Sequence, residues 1–262
     1  MIRAFRGELV KLLRRRVLLL SAVTVVVVAV GGAAIVLLGA EPAGPGSTGQ
    51  DLTRESLVDA GGGTEVFRRA ASFAGFFMFV VFVGAVAVEF GRGTFRTMVL
   101  RQPARVRLLA GKMAALLAYA AVVLAATLAL TWIAARLLAP SQDIDTSAWI
   151  SLDGFAAGVA DYGAVLFWVT GYAILGMLLA VLTRSVPIAL AVGIAWAGPI
   201  EHLLQDAWDP ASQFFPGLLL EAFVAGGTAD VDATQAFLTV AAYAAAAAAV
   251  ASTSITRRDV TA

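Results

Sequence analysis

The chain has 262 residues, of which 60% are hydrophobic and 14% are charged. Charged residues alone make up about a quarter of an average soluble protein, so this composition excludes a water-soluble fold. The chain contains no cysteine, which excludes a disulfide, a thiolate nucleophile and a cysteine metal site. The net charge of +1 carries no information about partners because it averages segments of opposite sign.

Long apolar stretches predict an all-α polytopic membrane protein with a single transmembrane domain, residues 1–262. A hydrocarbon core of roughly 30 Å requires about 20 apolar residues of helix. The fifth stretch, Ser185 to Ile200, has only sixteen residues, so we expect it to continue through Glu201 and His202 to Leu204. A cleavable signal peptide is disfavoured, because the first stretch is longer than a signal h-region and five more follow. The six predicted spans cover about 17–40, 66–90, 110–136, 162–183, 185–204 and 233–256.

Charge is sorted between alternate polar segments. Fifteen of the nineteen cations lie on one side of the predicted spans, together with only three acids, Glu8, Glu89 and Asp259. By the positive-inside rule this side and both termini are cytoplasmic. Seventeen arginines against two lysines, beside abundant alanine and valine, indicate a GC-rich bacterial genome and hence a bacterial inner membrane. The fifteen cations are Arg3, Arg6, Lys11, Arg14, Arg15, Arg16, Arg92, Arg96, Arg101, Arg105, Arg107, Lys112, Arg184, Arg257 and Arg258.

Residues 2–16 predict an amphipathic helix in the membrane interface, in contact with membrane lipid. Its apolar residues recur at helical spacing, and its cations Arg3, Lys11 and Arg14 fall on another side. The alternative is a basic patch that only fixes topology. The apolar positions are Ile2, Phe5, Leu9, Leu12 and Leu13.

Three segments are predicted on the outer side. The first, 41–69, is rich in turn residues but contains a possible short helix over 51–59. In the second, 136–161, the acids Asp143, Asp145, Asp153 and Asp161 are interpreted as solvated surface, since they lack the spacing of a calcium loop. In the third, the apolar run 214–220 is too short to span, which predicts a helix-turn-helix dipping back from the outer surface within the outer segment 205–232.

The segment after the second span, 91–109, predicts a short amphipathic helix at the cytoplasmic surface. Phe95, Met98, Val99 and Gln102 fall at helical spacing, and Pro103 ends the turn by restricting the residue before it. The alternative is an ordinary basic inner loop.

The order of residues in this segment resembles the first cytoplasmic loop of ABC-2 type permeases, the membrane subunits of ATP-binding cassette exporters. The whole layout is similar, from an interfacial N-terminal helix through six spans to an Arg-Arg-Asp tail at 257–259. The residues that carry the resemblance are Glu89, Gly93, Thr94, Arg96, Leu100, Pro103, Arg105 and Lys112.

The resemblance implies a coupling helix at 93–102 that docks into a cleft of a separate cytoplasmic P-loop ATPase subunit. The helix at 2–16 would be the connecting helix beside this contact, and Glu89 would pair with a nearby Arg or Lys. A second copy of the permease, or a homologous permease, is expected in the same transporter.

The sequence argues against a catalytic role for the chain itself. A phosphate-binding loop needs G-x-x-x-x-G-K-[ST], but Lys11 precedes Leu12 and Lys112 precedes Met113, so ATP and Mg would be bound by the partner. His202 is the single histidine, which leaves no H-E-x-x-H metal site or Ser-His pair. We predict no catalytic or metal residue, no cofactor in this chain and no nucleic acid partner.

The charge-free runs within the predicted spans offer mainly hydroxyl and aromatic side chains as polar groups, which fits an amphipathic or hydrophobic substrate better than a bare ion. These runs are 17–40, 70–88, 113–135, 162–183, 185–200 and 233–256. The substrate-contacting residues stay undefined. Gly154 and Gly158 match G-x-x-x-G, for which intramolecular packing is favoured over a dimer contact. The alternatives to an exporter permease are a non-transport scaffold or immunity subunit and a secondary transporter driven by an ion gradient.

Overall fold

The structure is a computed structural model that describes residues 1–42, 52–101 and 104–257. At 72–78, 101, 197, 198 and 209 it describes the backbone only. Of the described residues, 86% are helical. Twelve α-helices lie in the described ranges: α1 (Ile2–Leu12), α2 (Arg15–Val26), α3 (Gly32–Leu38), α4 (Arg54–Val58), α5 (Gly62–Gly91), α6 (Thr94–Arg101), α7 (Arg105–Leu138), α8 (Leu152–Thr183), α9 (Val186–Ala195), α10 (Glu201–Ala207), α11 (Pro216–Val224) and α12 (Ala233–Arg257).

Four helical stretches in the described residues are long and apolar enough to cross a membrane. They are Arg15–Leu38, in which a π turn joins α2 to α3, Arg105–Gln142, Leu152–Thr183 and Ala233–Arg257. The predicted all-α, membrane-embedded fold is therefore confirmed. Of the two other predicted spans, α5 has 30 residues, with Phe79–Gly91 as the apolar stretch among the residues whose side chains are described, and α9 has ten residues. The number of six spans stays a prediction.

The predicted continuation of the fifth apolar stretch through Glu201 and His202 is confirmed. Helix α9 passes through a π turn, Trp196–Ile200, directly into α10. Pro199 lies inside this turn. Because proline has no backbone N–H and its ring crowds the preceding turn, it disturbs regular α-helical bonding at that point.

Two predicted boundaries are wrong. Helix α1 ends at Leu12, not at residue 16, because Arg14 has an extended backbone (φ −66°, ψ 139°) and α2 begins at Arg15. The outer loop expected at 136–161 is shorter, since α7 runs to Leu138 and α8 begins at Leu152. The Ser151 hydroxyl accepts the N–H of Gly154 (3.0 Å), a capping bond that starts α8 before the apolar run.

The expected short helix in 51–59 is confirmed as α4. Thr53 and Ser56 form a reciprocal capping box at its start, in which each side chain accepts the other's backbone N–H at 3.2 Å.

The chain divides into two compact units. The first comprises Met1–Leu12, Gly75–Ala118 and Phe167–Ala262. In its core, Phe79 lies edge-on to Tyr172 (6.3 Å between ring centroids). Nearer the surface, Phe167 contacts Phe223 (4.7 Å) and the exposed Phe237 (4.9 Å).

The second unit comprises Leu13–Ala74 and Tyr119–Leu166. Trp149 is buried at its centre and donates its indole N–H to the Leu57 carbonyl (2.8 Å). Around it pack small and branched side chains from α3, α4, α5 and α7, among them Ala33, Leu37, Val66 and Ala135.

Candidate functional site

The short helix predicted between 93 and 102 is confirmed as α6, Thr94–Arg101. Gly93 separates it from α5 with a left-handed backbone (φ +67°), a conformation that glycine adopts without steric cost. The Gly93 N–H donates to the Phe90 carbonyl (3.1 Å), and the Thr94 hydroxyl donates to the Glu89 carbonyl (3.2 Å). The end of α5 therefore fixes the start of α6. Gln102 and Pro103 lie outside the described residues.

Helix α6 has one anchored face and one free face. Phe95 is buried and stacks on Phe90, with 4.4 Å between ring centroids. Thr94, Arg96 and Leu100 are exposed, and Leu100 is 78% accessible. The exposed face of α6 therefore presents a charged and an apolar side chain outward.

Behind the anchored face, four side chains form a closed ring of alternating charge, which we call the charged ring. Lys11 Nζ lies 2.8 Å from Glu8 Oε2 and 2.9 Å from Glu89 Oε1. Lys112 Nζ lies 3.1 Å from Glu8 Oε1 and 2.6 Å from Glu89 Oε1. The ring thus ties together α1, the end of α5 and the start of α7.

Three of the four members of the charged ring are buried. Glu8 and Glu89 are each 8% exposed and Lys112 is 6% exposed, whereas the Lys11 side chain is 46% exposed. Taking charges out of water is costly, and each buried carboxylate here is matched by two ammonium groups. Burial lowers the pKa of Lys11, but its hydrogen bonds to Glu8 and Glu89 outweigh burial and leave that pKa raised.

Close backbone packing supports the charged ring. Gly111 on α7 lies against α1, where an added Cβ would sit 2.6 Å from the Met1 carbonyl oxygen and 2.9 Å from the Ala4 Cβ. A larger residue at 111 would push α1 away from α7. A cavity of about 440 Å³ lies beside the ring and is also lined by Phe95 and Met98 of α6.

Two further cations connect this region to other helices of the first unit. The Arg105 guanidinium donates to the Ile255 carbonyl near the end of α12 (3.1 Å). The Arg184 guanidinium lies 5.8 Å from the centroid of Phe90, the ring on which Phe95 stacks. The structure therefore brings the predicted residues Glu89, Gly93, Thr94, Arg96, Leu100 and Arg105 into one unit.

The predicted pairing of Glu89 with a nearby cation is confirmed, and its partners are both lysines of the chain. The roles of Glu8 and Lys11 were missed, because pairing between helices leaves no local periodicity. One signal was available: Glu8 is the single acid among residues 2–16, and Glu89 is the single acid of 89–112. Of the predicted interfacial residues, Phe5, Leu9 and Leu12 are half-buried, while Ile2 and Leu13 are exposed.

A second polar cluster joins α10 to α11. Glu201 is 1% exposed, and its Oε2 accepts the backbone N–H of Leu218 (3.0 Å), which caps the start of α11. Its other oxygen, Oε1, has no hydrogen-bond partner in the described part of the chain. Gly217 leaves room for the carboxylate, because a Cβ there would collide with Oε2. The predicted helix-turn-helix is thereby confirmed, and its dip into the membrane stays a prediction.

His202 and Asp161 have partners that the sequence did not predict. His202 Nε2 lies 3.3 Å from Glu221 Oε2, while the neighbouring Glu201 points inward. The interpretation of Asp161 as solvated surface is wrong, since its side chain is 16% exposed and lies 3.8 Å from Arg68 Nε. Asp145 is fully exposed as expected, and hydrogen bonds from the Ser147 backbone and hydroxyl hold its pKa below the ordinary value.

The helices and their apolar length define the chain as a helical membrane protein. It belongs to the family described as "Protein of unknown function (DUF2705)", whose model matches residues 50–261. The match includes α6, Glu89 and Lys112 but begins after Glu8 and Lys11. No curated protein and no solved structure matches the chain.

Proposed function

We propose that this chain is the permease subunit of an ATP-binding cassette exporter, driven by a separate cytoplasmic ATPase subunit. The observation that carries the proposal is α6, an eight-residue helix with an anchored face and an exposed face, whose Phe95 and Met98 line the same cavity as the charged ring. The resemblance of residues 89–112 to the coupling loop of ABC-2 type permeases supports the same conclusion.

In this proposal the partner ATPase docks on the exposed face of α6. Arg96 supplies a charge and Leu100 an apolar contact, a combination common at interfaces. Movement of the partner on ATP binding would displace α6. The stacked pair Phe90 and Phe95 would transmit that displacement to α5.

The charged ring would then distribute the displacement. Its contacts at 2.6–3.1 Å connect α1, α5 and α7, so movement of α5 pulls on the other two helices. Buried ion pairs have narrow geometric tolerance, because separating one partner leaves an uncompensated buried charge. The spans would rock as connected bodies between inward-open and outward-open states.

The proposal includes a topology of six spans, with α5 and the continuous helix 186–207 as the second and fifth. It places both termini, α1, α6 and the charged ring at the cytoplasmic face of a bacterial inner membrane, in agreement with the distribution of Lys and Arg. ATP and Mg would bind to the partner, and a second permease copy would complete the transporter.

Co-purification tests the proposal. The chain is co-expressed with a P-loop ATPase encoded by a neighbouring gene, and the complex is purified in detergent. We expect a stoichiometric complex with the native chain and at least tenfold less ATPase bound to the double variant Arg96→Ala, Leu100→Asp. Both positions are exposed, so the variant should still insert and remain monodisperse.

Arg257→Ala is the matched control, because it removes an exposed cation on the same predicted side but outside α6. It should retain the ATPase. Equal binding to both variants would contradict docking on α6. Transport by the chain alone, driven by an ion gradient without ATP, would overturn the proposal in favour of a secondary transporter.

A further inference from the structure

An apolar groove lies in the second unit, between the second half of α7 and the first half of α8. Its volume is about 640 Å³, within the range of roughly 300–1,000 Å³ that ligand sites occupy. Ala125 and Ala129 form one wall, Phe155 and Val159 the other, and Trp132 lies toward one end. Both helices belong to stretches long and apolar enough to cross a membrane.

Four of the polar side chains that line the groove, Thr64, Trp149, Ser151 and Tyr162, are already used within the protein. Each of these four donates to a backbone carbonyl, so the walls present mainly hydrocarbon and aromatic surface to an occupant. An occupant of this part of the groove is therefore an alkyl chain, which needs no hydrogen bond. The bonds run from Tyr162 to Ala121 (2.9 Å), Trp149 to Leu57 (2.8 Å), Ser151 to Ala148 (2.7 Å) and Thr64 to Gly61 (3.0 Å).

A helix from a second copy is a poorer occupant. Gly154 and Gly158 carry the spacing that favours close helix approach, but both glycines already serve packing inside this unit. A Cβ at Gly154 would lie 3.0 Å from the Ala60 carbonyl oxygen, and a Cβ at Gly158 would lie 3.2 Å from the Thr64 methyl group. The small residues are thus unavailable to an incoming helix.

A cation lies one helical turn beyond the aromatic end of the groove. The Arg136 guanidinium lies 5.4 Å from the centroid of the Trp132 ring, and no acid forms an ion pair with it within the described residues. Arg136 is also the single cation in the segment 136–161. A planar guanidinium matches phosphate oxygens in geometry and charge.

From these two observations we propose that the groove binds an anionic phospholipid, with one acyl chain along α7 and the phosphate at Arg136. The apolar walls select the chain, and Arg136, one helical turn beyond the end of the groove, selects the negative headgroup. This inference does not depend on the proposed transport function, because it concerns a lipid held by the second unit alone.

Photolabelling of the full chain in nanodiscs tests the site. Two lipids carry the same photoreactive acyl chain, one with an anionic phosphatidylglycerol headgroup and one with zwitterionic phosphatidylcholine. Labelled peptides are mapped by mass spectrometry. We expect labelling within 125–133 and 150–162, about fivefold stronger with the anionic lipid, the ratio that one cation near a membrane surface provides.

Four variants separate chain binding from headgroup binding. Arg136→Gln should lower anionic labelling to the zwitterionic level, and Arg136→Lys should largely retain it. Ala129→Phe, which fills the groove, should reduce labelling by both lipids severalfold. Ala126→Phe is the matched control, because Ala126 is exposed on the same helix but does not line the groove.

Equal labelling by the two lipids in the native chain would overturn the proposal and show contact with bulk lipid only. Labelling that is unchanged by Ala129→Phe would also overturn the proposal. If Ala129→Phe fails to fold, the comparison of Arg136→Gln with Arg136→Lys decides the outcome.

Discussion

Two places in the first unit bury glutamates in different ways. In the charged ring, Glu8 and Glu89 are matched by two lysine ammonium groups at 2.6–3.1 Å. In the hairpin of α10 and α11, Glu201 is more deeply buried, at 1% exposed, and its Oε2 accepts a backbone N–H with no cation paired to it in the described part of the chain. Glu8 and Glu89 are therefore held by opposite charges, whereas Glu201 is held by a backbone N–H at the N-terminus of a helix.

The difference teaches which kind of change each place tolerates. A site held by paired charges depends on its buried charges, because removing one of them leaves another buried and uncompensated. A site held by backbone donors depends on shape and on an acceptor oxygen, and is insensitive to the charge itself. Five substitutions, with their controls, test this contrast.

The largest effect is expected from Lys112→Met in the charged ring. The variant leaves two buried carboxylates with one half-exposed lysine, and the free energy of unfolding should fall by about 3–5 kcal/mol. Denaturant titration in detergent measures the loss. The double variant Lys112→Met, Glu8→Gln should recover part of it, and an additive loss would contradict the ring.

The sharpest comparison is between two chemically identical changes. Glu89→Gln should cost about 2 kcal/mol, because the amide keeps an acceptor oxygen for the two ammonium groups but loses the negative charge that compensates them. Glu201→Gln keeps an acceptor oxygen for the Leu218 N–H and should change stability by less than about 1 kcal/mol. Unfolding curves of the two variants, measured side by side, give the two losses in stability to be compared. Equal losses would show that the two carboxylates are held in the same way.

The stability of the hairpin of α10 and α11 should depend on the fit of its side chains and not on their charge. Gly217→Ala places a methyl group against Glu201 Oε2 and should cost about 1–2 kcal/mol by displacing the carboxylate. Gly84→Ala is the control, because a Cβ there meets nothing within 4 Å in a helix interior and should be neutral or stabilising. Thermal unfolding of the pair gives the comparison, and a stable Gly217→Ala variant would contradict the fit.

The smallest effect is expected at Lys11, which is half-exposed. Lys11→Ala should cost less than about 1 kcal/mol at neutral pH. The raised pKa of Lys11 means that its contribution is fully present below the ordinary lysine pKa and is lost as the pH rises through the raised value. Thermal unfolding from neutral to strongly alkaline pH should show a loss that is smaller in Lys11→Ala. An identical alkaline loss in both proteins would exclude Lys11 as its source.

The helices could largely be predicted from sequence because apolar runs and helical spacing are local signals. The spacing of Phe95, Met98 and Val99 predicted α6, and the structure buries Phe95 as that spacing requires. The end of α1 could not be predicted, since Arg14 adopts an extended backbone without a Gly or Pro beside it. The early start of α8 had a local signal in Ser151, which was not used.

The contacts of the charged ring could not be predicted because they join residues up to 104 positions apart. Local spacing placed Lys11 on a polar helix face and Glu89 at a helix end, and neither position specifies a partner. The same limit applies to Glu201, whose inward direction depends on where α11 packs. The pairing of Asp161 with Arg68 likewise joins two helices, α8 and α5.

The charged ring also gives the protein a chemical reporter of its own state. The sequence contains two lysines, and both are in the ring. The Lys11 side chain is 46% exposed and the Lys112 side chain 8% exposed, so a lysine-directed reagent reaches the Lys11 amine more readily than the Lys112 amine. The rate at which Lys112 is modified would therefore report how often the charged ring opens, without an introduced cysteine or fluorophore.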